Sequence, residues 1–279
     1  MQTDPVEITW IDADSALQVV SPGGFVGGIS ADNALTQRYA RYPALADLFR
    51  ALRLVDKQGM GVDRMVREMV TLGHRPPALT EEPGPRVRVR LTGGVPVVPA
   101  MDLMEGIRPA VRRRDVRIAL IVYTLLHQPF VSAATLVDVL QRPEAECAEA
   151  IDAAAECLVG DKPLLRPYKD LWLLSEAALN VALRSGGARL AQLRRRGALA
   201  YWRPGDAAAV AASWLASHDR ITSGDYAAMA GFTQPGALRQ LDRLAADGLV
   251  RRGDQVGRSA TFAAEPGLLT TPRPSTPES

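Results

Sequence analysis

Gln234, Arg239, Gln240 and Arg243 lie outside an apolar stripe of Leu238, Leu241, Leu244 and Ala245 at helical spacing. Glutamine and arginine are the side chains that pair bidentately with the major-groove edges of adenine and guanine. A helix that turns these four outward has the chemistry to read double-stranded DNA. Arg251, Arg252 and Arg258 follow on a candidate hairpin, where guanidinium groups can touch phosphates or a minor groove. Upstream, Arg194, Arg195 and Arg196 can add sequence-independent affinity by neutralising phosphates.

The elements that must position these residues read as follows. Ser223 is placed to cap a short helix over 223–230, and Gly231 ends it with a tight turn at Phe232 and Thr233. Gln234 and Pro235 open a second helix, since proline suits a first turn that leaves its missing N–H without cost. Gly248 stops that helix. Residues 250–252 and 260–262 then read as two short strands around Gly253 and Gly257. This order resembles the winged helix-turn-helix modules of bacterial transcriptional regulators, which implies duplex DNA as partner. Winged helices also serve as protein–protein modules. From 205 to 264 the chain has six arginines and six aspartates, so charge alone does not choose.

The segment 184–203 holds six arginines and no acid, with Tyr201 and Trp202 at its end. It reads as a basic connecting helix over 184–204. Its charges are either a solvated face or phosphate contacts, and the two aromatic rings allow stacking on a single strand. Before it, helices over 115–127, 133–140 and 143–158 and a hairpin at 164–167 and 171–174 repeat the C-terminal order, as a first winged helix over 115–183. Its third helix carries Glu144, Glu146, Glu149, Asp152 and Glu156 and no cation. Carboxylates against phosphates repel, so this helix is expected to serve a homodimer or inter-domain contact, or to be a solvated face.

At the N-terminus, residues 6–11 alternate like a strand and 16–20 form a second. Ser21-Pro22-Gly23-Gly24-Phe25-Val26-Gly27-Gly28 is a glycine-rich loop. A helix over 44–54 puts Leu45, Leu48, Phe49 and Leu52 on one face, and a helix over 62–72 carries Met65, Val66 and Met69. Residues 86–91 close the region as a strand with three arginines on one face and three apolar residues on the other.

The run from SPGG through YPALADLFRALRLVDKQGMGVDRM and GHRPPALTE to VRVRL resembles a group of bacterial transcriptional regulators with a helicase-like C-terminal part. These carry an AlbA/Schlafen-like domain, a region similar to the gyrase, histidine-kinase and MutL (GHKL) ATPases, and winged helices. The resemblance covers residues 6–91. It implies that Gly23 and Gly24, and Gly59 and Gly61, form two loops approaching a nucleotide, where bare backbone N–H groups meet phosphates. The sequence departs from that pattern in two ways. Ser21 stands where a polar Asn or Asp is expected to read a purine, and the chain begins after the place of the Asn-containing helix and of the N-terminal domain. The expectation is therefore a truncated, degenerate nucleotide region with no bound cofactor, ATP remaining the alternative.

The chain has 279 residues, 47% apolar and 23% charged, with formal charge +2. These are soluble-protein values, without a global nucleic-acid signature. There is no apolar run of bilayer length and no signal-peptide pattern, so the expected location is the cytoplasm, away from membranes. Cys147 and Cys157 lack metal-ligand spacing and read as small buried thiols. No clustered Ser/His/Asp set and no P-loop lysine is present, so no catalytic residue is assigned. The expected fold class is α+β. A partial GHKL-like α/β sandwich (1–94), a linker (95–114) and the first winged helix (115–183) come first. The basic helix (184–204), a second winged helix (205–264) and a disordered tail (265–279) follow. Three functions stay open: a DNA-binding regulator of transcription, a nucleotide-gated switch, and an interaction scaffold.

Overall fold

The computed structural model describes residues 5–54, 61–253 and 260–270. Helices and small antiparallel sheets give an α+β chain. It divides into two units, the described parts of 1–123 with 132–164, and of 124–131 with 165–279.

In the first unit β1 (Glu7–Ile11), β2 (Ala16–Pro22), β3 (Ala78–Glu82) and β4 (Arg86–Thr92) form an antiparallel sheet in the order β1-β2-β4-β3. Directly opposed residues share a face. One face therefore carries Glu7, Val20, Arg88 and Thr80, the other Ile8, Val19, Val89 and Leu79. The buried sheet residues Ala16 and Val20 lie on the arginine side. Arg86, Arg88 and Arg90 are half-buried there and paired with Glu7, Glu82 and Asp14. The aliphatic side is the open one. Its Leu17, Val19, Val87, Val89 and Leu91 are only half-buried, and Ile8 and Trp10 are exposed.

The two N-terminal helices are α1 (Pro43–Ala51) and α2 (Gly61–Thr71). Helix α1 has its predicted apolar face, but Leu45, Leu48, Phe49 and Leu52 are all exposed. Helix α2 buries Val66 and Val70.

The expected linker is not one. Residues Val98–Gly106 form α3, which buries Pro99, Ala100, Leu103 and Met104. A Pro/Val-rich composition misled the reading, because proline in a first turn starts a helix as readily as it marks a linker. Strand β5 (Ile107–Arg108) and a 3-10 turn (Ala110–Arg114) lead to α4 (Val116–His127). Helix α4 is mostly apolar, and Ile118–Val122, Leu125 and Leu126 are buried. Helix α5 (Ala133–Leu140) starts at a Ser132–Thr135 capping box, and α6 (Glu144–Ala155) follows. Strands β6 (Leu158–Val159) and β7 (Lys162–Pro163) complete a small sheet with β5.

In the second unit β8 (Leu165–Tyr168) and β9 (Leu171–Leu174) form a hairpin, and Val131 pairs with Trp172 at its edge. Helix α7 (Glu176–Gly186), capped by Ser175, is followed by a 3-10 turn (Gly187–Arg189) and by α8 (Leu190–Arg195). The arginine-rich segment is thus two helices and a turn, not the single connecting helix expected. Helix α9 (Ala207–Leu215), capped by Asp206, precedes β10 (Ile221–Thr222), α10 (Ser223–Ala230) and α11 (Gln234–Ala246). Strands β11 (Val250–Arg252) and β12 (Thr261–Ala264) pair antiparallel, giving a sheet of order β10-β12-β11. A short helix, α12 (Pro266–Thr270), ends the described chain. Trp214 lies at the centre of this unit, edge-on to Phe130 and Tyr168 and stacked on His218 at 4.0 Å.

Candidate nucleic-acid interface

The cap of α10 is Thr222, not Ser223. Its hydroxyl accepts from the Asp225 N–H at 3.2 Å, and the Asp225 carboxylate accepts from the Thr222 N–H at 2.9 Å. Ser223 is the first helical residue and is buried. Gly231 closes α10 with φ +66° beneath the Trp202 ring, a place with neither the backbone freedom nor the space for a side chain. Thr233 then caps α11 by its backbone conformation, and Pro235 sits in the first turn.

Helix α11 buries Gly236, Ala237, Leu241 and Leu244. The inward stripe is thus rotated from the expected one, with Leu238 and Ala245 only half-buried. Gln234, Arg239 and Arg243 are exposed and Gln240 half-exposed, so the four predicted polar residues do face out of the core. Arg251 and Arg252 are exposed on β11. Arg252 bonds Asp242 of α11 at 2.8 Å and lies over the Phe262 ring. Arg251 lies 3.8 Å from Glu265. Arg258, like Gly59 in the N-terminal region, is outside the described residues.

The balanced charge count of this stretch is not its surface charge. Asp225 is buried and accepts four hydrogen bonds, from Tyr168 Oη, Lys169 Nζ, Thr222 N and Thr222 Oγ1. Burial works against its charged form. The bonds from Lys169, Thr222 and Tyr168 outweigh that and hold the carboxyl below the usual Asp range. Asp206 caps α9, and Asp242 is paired with Arg252. Arg239 and Arg243 enter no ion pair among the described residues. On α11 itself Arg239 and Arg243 are thus open to solvent, as is Asp247 at the helix end.

The arginine run separates into different roles. Arg194 is half-buried, and its Nη2 donates to the Arg203 carbonyl at 2.6 Å. Burial lowers its pKa. It braces the turn after α8 and is not placed as a phosphate contact. Arg195 and Arg196 are exposed. The stacking expectation for a single strand fails, because Tyr201 and Trp202 are both buried at 4% exposure. The Tyr201 hydroxyl donates to the Leu125 carbonyl, and Trp202 packs on Gly231. Composition revealed these aromatic residues but not which way they point.

In α6, Glu144, Glu149, Asp152 and Glu156 are exposed and Glu146 is half-buried. Arg142 pairs with Glu146 at 2.5 Å, and Arg112 with Glu156 at 3.1 Å. The Arg166 guanidinium and the Lys169 ammonium of the first hairpin are turned to α10, at the Ala228 carbonyl and at Asp225.

The glycine loop of the first unit is filled by its own chain. Gly23, at φ +84°, donates its N–H to the Pro85 carbonyl at 2.8 Å and lies against the Arg41 guanidinium. Arg41 also donates to the Gly24 carbonyl at 2.7 Å, and the Glu81 carboxylate takes the space beside Gly24. The Tyr39 ring covers Gly27. The loop thus holds one guanidinium and one carboxylate of its own chain. Gly61 opens α2 with nothing within 4 Å of where its side chain would be.

Comparison with known proteins places these regions. Residues 5–91 match the family model described as "Putative ATP-dependent DNA helicase recG C-terminal", which supports the ATPase-like part of the resemblance. Residues 98–183 match a family of unknown function, DUF5635. The crystal structure of the DIP2311 protein from Corynebacterium diphtheriae is similar to 95% of this chain, at 36% identity and a TM-score of 0.79. The chain spans 47% of that protein, about half its length. No curated protein matches. No described helix is long and apolar enough to cross a membrane.

Proposed function

We propose that the chain is a duplex-DNA-binding regulator of transcription that works through a winged helix built from α9, α10, α11 and the β11–β12 hairpin. The observation that carries the reading is the outward face of α11. Gln234, Arg239, Gln240 and Arg243 project from a helix whose opposite side is buried, with Asp242 and Asp225 engaged within the fold and Asp247 exposed at the helix end. Such a helix fits a major groove, with Arg239 and Arg243 on guanine or phosphate and the glutamines on adenine. Arg251, Arg252 and Arg195 add phosphate contacts. The printed name of the family model over 5–91 also concerns DNA.

In the same reading the acidic helix α6 does not read DNA. The exposed Glu144, Glu149 and Asp152 then serve a contact with a second copy. Nucleotide gating is the lesser reading, because Arg41 and Glu81 occupy the Gly23–Gly24 loop.

The test is fluorescence anisotropy of a labelled random-sequence duplex with the intact protein at low and physiological salt. Micromolar binding that weakens steeply with salt, and drops about tenfold or more in Arg239→Ala/Arg243→Ala, supports the reading. No binding at low salt removes it and leaves an interaction scaffold.

A further inference from the structure

The 3-10 turn between β5 and α4 presents arginines that the α11 surface does not use. Arg108 and Arg114 are exposed, and between them Val111 stands 74% exposed. A lone exposed valine needs no explanation, but one set between two outward arginines on a braced turn is a pattern. The brace is clear. Ile107 is fully buried, Arg113 Nε donates to its carbonyl at 2.8 Å, and the Arg112 N–H donates to the Pro109 carbonyl at 3.0 Å.

Two acids near the turn are engaged, while Glu105, three residues before Arg108, is exposed. Asp115 accepts from Arg117 N and Nε at 3.0 Å and from Nη2 at 2.7 Å. Glu156 takes Arg112 at 3.1 Å. Arg108 and Arg114 have no ion pair among the described residues, so their charges are open to a partner.

We propose that this turn is a second DNA contact, independent of α11, in which Arg108 and Arg114 meet phosphates or the floor of a minor groove and Val111 packs on the sugar and base edges between them. A narrow minor groove attracts arginine, and minor-groove proteins frequently also set apolar side chains against the base steps. A duplex offers phosphates on both sides of a groove with apolar sugar walls. An acidic peptide offers the charges without the groove, and leaves Val111 no surface.

The experiment measures anisotropy of an A·T-rich duplex of about 30 base pairs, long enough for two contacts. It uses the intact protein, Arg108→Ala/Arg114→Ala, Arg239→Ala/Arg243→Ala, and the fourfold variant. All four substituted residues are exposed, so thermal melts should coincide and exclude misfolding. The turn variant is expected to bind about tenfold more weakly at low salt. Its log–log salt slope should fall by about 1.8, at about 0.9 per lost phosphate contact. The same decrement should appear between the α11 variant and the fourfold variant. Val111→Ser should lower affinity about threefold with an unchanged slope.

Wild-type affinity and slope in the turn variant, with binding lost in the α11 variant, overturn this inference and leave the proposed function standing. Binding lost in the turn variant but untouched in the α11 variant supports the turn and removes the role of α11. Wild-type protein that ignores the duplex and binds polyglutamate overturns both.

Discussion

Lys169 places its ammonium 2.5 Å from Asp225 Oδ1, which ties the turn between β8 and β9 to the first turn of α10. Lys169 reaches this position from a left-handed backbone conformation, φ +54°, and also lies over the Trp214 ring. One carboxylate therefore caps a helix, accepts the Tyr168 hydroxyl and joins a hairpin to the core of the second unit.

Removing that carboxylate should cost about 2–3 kcal/mol at neutral pH, less than the breaking of a fully buried pair because Lys169 is 53% exposed. Asp225→Ala should show this as a shifted urea midpoint with unchanged slope. The pH dependence follows from the direction of the shift. The folded-state pKa is depressed, so the contribution is complete above the unfolded Asp value of about 3.9 and is lost as pH falls through the lower folded value. Wild type should therefore lose stability steeply below about pH 4, and Asp225→Asn should lose less. Parallel acid titrations of the two proteins would remove this assignment.

Gly231→Ala combines two costs. The site has φ +66°, and the Trp202 ring occupies the space of the added methyl. Left-handed strain alone is about 1 kcal/mol, and overpacking adds about 1–3 kcal/mol. A melting temperature lowered by roughly 5 °C or more is expected, whereas Gly248→Ala, with φ +72° and open space, should cost only the strain. Equal losses at the two sites would show that the Trp202 contact is not a constraint.

Cys147 and Cys157 are both fully buried, and burial pushes both thiols up from their ordinary pKa. Neither should react with a thiol reagent at pH 8 in the native protein, and both should react in denaturant. A fast native reaction of one equivalent would mean that its helix opens locally.

Much of this architecture was legible because its signals are local. Pro235 and Gly248 bracket α11, and the alternation in β4 is plain. Strand β3 was not legible: Ala78-Leu79-Thr80-Glu81-Glu82 has no β-branched run, and it is a strand because β4 supplies a ladder and Arg88 pairs with Glu82. Strands β5, β6 and β7 are two residues each, too short for any period. The side chains needed for a site were legible as types but not as directions. Nothing local separates Arg194, which turns back to the Arg203 carbonyl, from Arg195, which faces solvent. Nothing local reveals that Arg41 and Glu81 come from distant positions to fill the loop of Gly23 and Gly24.

That difference between neighbouring arginines gives the sharpest test of the run. Arg194 spends a hydrogen bond of 2.6 Å on a backbone carbonyl and is half-buried, with its Nε enclosed and unpartnered. Arg194→Ala should therefore lower stability by about 1–2 kcal/mol through lost packing and an orphaned carbonyl. Its effect on duplex affinity should be small once the protein is folded. Arg195→Ala should do the opposite: an unchanged melting temperature and a salt slope lower by about 0.9. Thermal melts and salt-dependent anisotropy on the two single variants separate the cases. If both variants lose affinity equally and neither loses stability, Arg194 contacts phosphate after all and the brace at Arg203 opens on binding. If both lose stability and neither changes affinity, the run is a structural element, and phosphate affinity rests on α11, the hairpin and the turn at Val111.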